Sequence, residues 1–145
     1  MAAVLKMYNS SVHEAFLGNI TWSGVEVKMT LFTAYTYDET DATYTTVKTD
    51  HTEHPTANGY TVGGVVCASP THAIAAGVVT FGTDNVVWTA TGALTAKYAI
   101  AYDLSSDALL FCIDLDGAGG DVTATDAAFT IDDTPDGFFS IDTTP

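Results

Sequence analysis

The sequence predicts a mainly β domain, an antiparallel β-sandwich or jelly-roll-like fold of about eight short strands with one N-terminal α-helix. Three observations carry that expectation. Hydrophobic residues make up 47% of the 145 positions and charged ones only 15%, while 24 threonines supply much of the polarity. Thr, Val, Ile, Tyr and Phe suit a pleated, half-buried surface. Short β-branched or aromatic runs recur between Gly, Asn, Asp and Pro turn signals. Beyond the first segment there is no long helical period, so the βαβ alternation of a parallel sheet is absent. A chain of this length is expected to form one domain over residues 1–145 and to bury about 68–70% of its unfolded surface.

Residues 3–16 place Leu5, Tyr8, Val12, Ala15 and Phe16 three or four apart, and Gly18 follows. This spacing predicts an amphipathic N-terminal helix with a glycine stop, with Lys6, Asn9, His13 and Glu14 on its outer face. The period then changes to two. Val25, Val27, Met29, Leu31, Thr33 and Tyr35 alternate with Glu26, Lys28, Thr30, Phe32 and Ala34, which predicts a strand with one buried face. Residues 36–58 are polar, rich in Thr and Asp, and read as a long loop with room for one short strand at "ATYTTVK". The remaining strands are expected in "YTVGGVVCA", "IAAGVVTF", "NVVWTA", "LTAKYAIAYD", "ALLFCIDL", "DVTATDAAFTID" and "GFFSID". Residues 134–145 are expected to form a C-terminal arm.

Charge narrows the function classes. Eighteen Asp and Glu face four lysines (Lys6, Lys28, Lys48, Lys97) and no arginine, a net charge of −14. Binding nucleic acid depends on Lys and Arg displacing counterions from phosphates, so neither a nucleic acid nor an anionic membrane is an expected partner. The N-terminus lacks a basic region followed by an apolar stretch, so no secretion signal is expected, and no apolar run reaches membrane-spanning length. Cys67 and Cys112 both sit in apolar runs and read as small hydrophobes; a disulfide would require their strands to be neighbours.

Apparent sites dissolve on inspection. His51 and His54 flank Glu53 but are three apart and precede Pro55, so no helix presents them as zinc ligands; they read as surface-loop histidines. "GYTVGG" lacks the Gly-Lys-Ser/Thr ending of a phosphate loop and leads into a strand, where glycines mark a bulge or a close backbone approach. No nucleophile elbow or selectable carboxylate pair supports an enzyme, and no cofactor is expected. The weak metal candidates are Asp114, Asp116 and Asp121 in "DLDGAGGD", hard oxygen ligands on a glycine-rich turn of the kind Ca²⁺ accepts, although the spacing is not that of an EF-hand. "DDTPDG" (Asp132, Asp133, Asp136) has the same composition.

Four stretches together resemble the small virion structural proteins of tailed bacteriophages, those that decorate or cement capsids or associate with tails. They are "YNSSVHEAFLGNITWSGVEVKMTLFTAYTYD", "ANGYTVGGVV", "VVWTATGALTAKYAIAYD" and "LLFCIDLDG". The matching positions include Tyr8-Asn9, Gly18-x-Ile20-x-Trp22, Lys28, Leu31, Thr33 and Tyr35. They continue with Gly59-Tyr60-x-x-Gly63-Gly64, Trp88, Lys97-Tyr98-Ala99-x-x-Tyr102-Asp103 and Asp114. Lysine occupies the basic position before Tyr98, consistent with the absence of arginine. The resemblance implies a non-catalytic virion component. It fits an oligomeric protein bound to the major capsid protein lattice on the outer head surface; the alternative is a tail, fibre or baseplate component whose Tyr35, Tyr37, Tyr44 and Tyr60 stack on host glycans. Contacts are expected from the N-terminal helix, the 36–58 loop and the C-terminal arm, with Leu5, Tyr8, Tyr44, Phe138 and Phe139 as interface candidates.

Overall fold

The computed structural model describes residues 3–20, 22, 26–132 and 138–142. The protein is mainly β, with antiparallel sheets arranged as a sandwich-like domain. The central sheet runs β1 (Val4–Met7), β10 (Leu109–Asp114), β9 (Tyr98–Asp103), β2 (Val27–Ala34) and β3 (Thr52–Glu53), and β4 (Val65–Val66) also pairs with β2. Two ribbons accompany it, β7 (Val86–Thr89) with β12 (Ala128–Ile131) and β8 (Ala93–Ala96) with β11 (Val122–Thr125). A third sheet has the order β13 (Phe139–Asp142), β6 (Val78–Gly82), β5 (Thr71–Ala75). The helices are α1 (Asn9–Phe16) and α2 (Tyr44–Asp50), and among the described residues no helix is long and apolar enough to cross a membrane.

The central strands are covered on both faces. On one side Val27, Met29, Leu31, Ala99, Ala101 and Phe111 join Trp22, Trp88, Leu94 and Phe129 in the larger core. On the other, Phe32, Ile100, Tyr102, Leu109 and Cys112 meet Tyr8, Tyr35, Tyr44 and Val47. The expectation that β2 buries one face is therefore corrected: Thr30 and Phe32, on the supposed outer face, are fully buried. A register shift between Leu109 and Phe111 turns both Leu110 and Phe111 towards the larger core, and Cys112 returns to the smaller one.

Several expected boundaries change. Residues 4–7 are not helical: they pair with Asp114 to Phe111 at the edge of the central sheet, and the helix begins only at Asn9. The 36–58 segment is not a projecting loop. Its "ATYTTVK" stretch forms α2, where the Thr43 side chain caps the helix by accepting from the Thr46 N–H at 3.3 Å, and Tyr44 and Val47 close the smaller core. Four β-branched residues in that stretch (Thr43, Thr45, Thr46, Val47) favour a strand locally, and burial of the Tyr44–Val47 face overrides them. The run "IAAGVVTF" contains a hairpin turn, and "DVTATDAAFTID" divides into β11 and β12, which pair with β8 and β7 and not with each other. In the first, Ala76 and Gly77 both have positive φ (50° and 81°), the type I′ geometry that joins β5 to β6 without an Asn-Gly signal. Of the supposed C-terminal arm, residues 139–142 form β13 against β6, and 134–137 and 143–145 lie outside the described residues.

Cys67 and Cys112 are free thiols in different cores, and burial pushes each up to about 12, as expected of inert small hydrophobes.

The two glycines of "VGGVV" differ in what they permit. Both have positive φ, but a Cβ on Gly64 would lie 2.0 Å from the Met29 carbonyl oxygen, whereas one on Gly63 would meet nothing within 4 Å. Close approach thus explains Gly64 alone. Gly63→Ala is expected to cost about 1–2 kcal/mol, the strain of a left-handed residue, and Gly64→Ala clearly more because β4 must also leave β2. Urea denaturation of the two variants checks this; equal losses would contradict the close approach.

Candidate interaction face

Helix α1 is amphipathic, but its apolar side is not covered. Ser11 is buried and donates to the Tyr8 carbonyl at 2.7 Å, while Val12 and Phe16, expected in the core, face outward; Phe16 is 89% exposed. Together with β13 and β6 the helix walls an apolar cleft of about 270 Å³, lined by Met7, Val12, Ala15, Phe16, Ile20, Trp22, Phe81, Leu110, Phe139 and Ile141. The floor is rigid. Phe81 and Phe139 stack at 4.7 Å, both meet the Trp22 ring edge-on, and the Trp22 indole N–H donates to the Gly82 carbonyl at 3.2 Å. Ile141, 53% exposed, forms the rim opposite Phe16.

The interface candidates separate accordingly. Phe139 lines this cleft, and Leu5 and Phe138 line a second hollow of about 370 Å³ with Ile113, Leu115 and Phe129. Tyr8 and Tyr44 are core residues with no surface to offer: Tyr8 shares a hydroxyl hydrogen bond with Tyr35 at 3.0 Å, and Tyr44 stacks on Tyr102 at 4.1 Å. Of the four tyrosines considered for sugar stacking, Tyr35, Tyr44 and Tyr60 are buried and Tyr37 is half-buried, its hydroxyl donating to the Met7 carbonyl.

The carboxylates of "DLDGAGGD" are turned onto their own backbone. Asp114 Oδ1 accepts from the N–H groups of Gly117 and Gly119, both at 3.1 Å, and Asp116 Oδ1 accepts from Ala118 and Gly120 at 2.7 and 2.8 Å. The backbone donors of Gly120 and Ala118 hold the Asp116 carboxyl below its usual range. Asp121 points instead towards Lys97, 3.9 Å away. Among the described residues no group of three or more His, Cys, Asp or Glu side chains is placed to hold a metal ion. Asp133 and Asp136 of "DDTPDG" lie outside the described residues.

Within the "HTEHP" stretch Glu53 and His54 are buried, while Thr52 and Pro55 are exposed. Glu53 Oε1 accepts from the Tyr60 hydroxyl at 2.6 Å and the Gly63 N–H at 2.7 Å, and Oε2 accepts from the Tyr44 hydroxyl at 2.7 Å, with Lys48 Nζ 3.9 Å away. The Tyr60 oxygen accepts in turn from the Leu31 N–H. His54, read as a surface histidine, is only 5% exposed; its N–H donates to the Leu31 carbonyl and its Nδ1–H to the Pro55 carbonyl at 2.7 Å. The stretch weighed as a zinc-ligand motif thus ties α2 and the 59–64 turn to β2. No sequence period marks it, because its members are linked only through space.

Burial, reinforced by Glu53 beside Tyr44 and Tyr60, holds the hydroxyls of Tyr8, Tyr35, Tyr44 and Tyr60 well above their ordinary value and pushes Tyr102 up to about 12. A raised folded value stabilises the protein below the unfolded value of about 10 and loses that contribution as pH rises through the folded one. Stability in urea is therefore expected to decline from about pH 10 upward, with most tyrosinate absorbance developing together with loss of circular dichroism, not before it. Glu53→Ala leaves two hydroxyls and one N–H without their acceptor and is expected to cost about 3 kcal/mol or more in the same denaturation assay at neutral pH. No protein-family model, curated protein or solved structure matches this chain.

Proposed function

We propose that this chain is a structural protein of a tailed-bacteriophage virion, a decoration or cement protein that binds the major capsid protein lattice on the outer head surface and stabilises it without catalysis. The observation that carries the reading is the uncovered apolar cleft between α1 and the β13–β6 sheet, where an exposed helix face lies over a preformed aromatic floor. Exposed apolar surface of this kind marks a binding site, and burying one ring such as Phe16 contributes roughly 1.5–3 kcal/mol. Repeated over a lattice, modest contacts per copy suffice for tight retention. Two supporting facts come from sequence: the resemblance carried by the Tyr8 to Asp114 motifs, and a net charge of −14, which disfavours a place beside packaged DNA.

The test is co-sedimentation of the purified protein with capsids of its phage that lack it. Wild type is expected to bind and to raise the temperature at which the capsids disrupt. Phe16→Glu, at a side chain already exposed, is expected to keep the thermal unfolding midpoint and weaken capsid binding about ten-fold or more. Failure of wild type to bind such capsids overturns the reading, and a Phe16→Glu variant that binds normally removes the cleft from it.

A further inference from the structure

The turn that leads into "YTVGG" holds a dipeptide with chemistry of its own. Of the four asparagines, Asn9, Asn19, Asn58 and Asn85, only Asn58 is followed by glycine. Asn58 and Gly59 both have positive φ (54° and 87°), and Ala57 and Tyr60 exchange backbone hydrogen bonds across them at 3.1 and 2.9 Å, so 57–60 is a two-residue type I′ hairpin turn. Asn-Gly is also the pair in which a side-chain amide is most readily lost in water. With no Cβ on the following residue, that residue's backbone nitrogen reaches the asparagine Cγ with little hindrance. Asn58 is exposed, so water has access to it.

Exposure does not leave the pair free to react. Asn58 Nδ2 donates to the Ala93 carbonyl at 2.7 Å, and the Asn58 carbonyl accepts from the Thr91 N–H at 3.2 Å. A Cβ on Gly92 would lie 2.7 Å from Asn58 Oδ1, and one on Gly59 would run into the Thr89 carbonyl. Side chain and peptide unit are therefore both fastened to residues 89–93, which join β7 to β8. Ring closure needs Cγ to swing towards the Gly59 nitrogen, and that movement breaks the bond to Ala93.

We propose that Asn58 is a site of spontaneous covalent modification, and that its contact with residues 89–93 sets the rate. The Gly59 nitrogen gives up its proton to hydroxide and bonds to Asn58 Cγ. The Cγ–Nδ2 bond breaks, Nδ2 takes a proton from water and leaves as ammonia, and a five-membered imide remains. Water then adds to one of the two imide carbonyls and breaks that carbon's bond to the Gly59 nitrogen. Opening at Cγ leaves aspartate; opening at the Asn58 backbone carbonyl carbon leaves isoaspartate, with Gly59 attached through the side chain. Water is the only co-reactant. Either product unfastens the turn. A carboxylate has no N–H to offer the Ala93 carbonyl, and isoaspartate adds a backbone atom to a turn that has only two residues between Ala57 and Tyr60. Tyr60 donates to Glu53 at 2.6 Å, so the change reaches the buried network beneath α2. Reaction in the folded chain thus follows local opening of the 57–60 turn from the 89–93 segment.

Incubation of the full chain in mildly alkaline buffer, with and without urea, followed by peptide mass spectrometry at each asparagine, tests the site. In urea Asn58 is expected to react first of the four, and in the folded chain about ten-fold or more slowly than in urea. Gly92→Ala is the informative variant, because the three atoms nearest its new methyl all belong to the Asn58 side chain. It is expected to keep its thermal unfolding midpoint, to react several-fold faster than wild type when folded, and to match wild type in urea. Asn58→Asp, one of the two products, is expected to lower the urea midpoint. Another asparagine reacting first in urea, equal wild-type rates with and without urea, or a folded Gly92→Ala that reacts no faster than wild type overturns the proposal. If Gly92→Ala does not fold, the wild-type rates and Asn58→Asp decide: a midpoint for Asn58→Asp equal to that of wild type removes the bond to Ala93 as the restraint and overturns it as well.

Discussion

Strand β9 is the constraint on which the rest of the structure depends. All six of its residues are buried, and it lies between β10 and β2 with a core on either face. An antiparallel sheet commonly leaves one face in water; here Tyr98, Ile100 and Tyr102 enter the smaller core while Ala99 and Ala101 enter the larger one. The two alanines are small where Trp22, Trp88 and Phe111 share the cluster, and the bulky residues point the other way. A slip of one residue would exchange the two sets, so register is strongly specified. The shift at Leu109 to Phe111 in the neighbouring strand lets that strand supply two consecutive side chains to the larger core without disturbing β9.

Covering both faces forces polar groups inward, and the chain satisfies them with its own side chains. The covering layer over the smaller core is the 36–58 excursion, and what fastens it is Glu53, which joins Tyr44 of α2, Tyr60 and the Gly63 N–H. Asp103, at the end of β9 and fully buried, accepts from the Ser105 N–H and from the hydroxyls of Ser105 and Ser106, each at 2.8 Å, closing the turn to β10. Charge-assisted bonds of this kind contribute more than neutral ones, and their loss leaves several donors stranded at once. Acidic residues in this protein therefore have two distinct roles: a few organise buried turns, and the others give the exterior its charge.

Against that exterior the uncharged surface is confined. The cleft under α1 lies over one face of the β13–β6–β5 sheet, and the β5–β6 hairpin of that sheet falls within residues 54–83, which contain no Asp, Glu or Lys. Attraction there is short-range and apolar, while repulsion elsewhere keeps contacts from forming at random. Such an arrangement suits a protein that meets few partners in defined orientations.

Composition and period were enough to establish the β class, the identity of β2, β9 and β10 as strands, and the absence of a helix-based architecture, because these follow from local alternation and turn chemistry. Charge alone argued against polyanionic partners. The tertiary structure decided what local signals leave degenerate. Val4 to Met7 read as helix and became an edge strand because β10 offered a free side; "ATYTTVK" read as part of a long loop with room for a short strand and became helix because Tyr44 and Val47 had a core to close. The apolar stripe of α1 was legible, but whether it faced the core or the solvent was not, since nothing in a helical period says which layer lies opposite. Each of the three donors lies ten residues or fewer from Glu53 in sequence, yet without a common period they became a single group only when β2 and the 59–64 turn were brought together, a coincidence of distance that sequence does not encode locally.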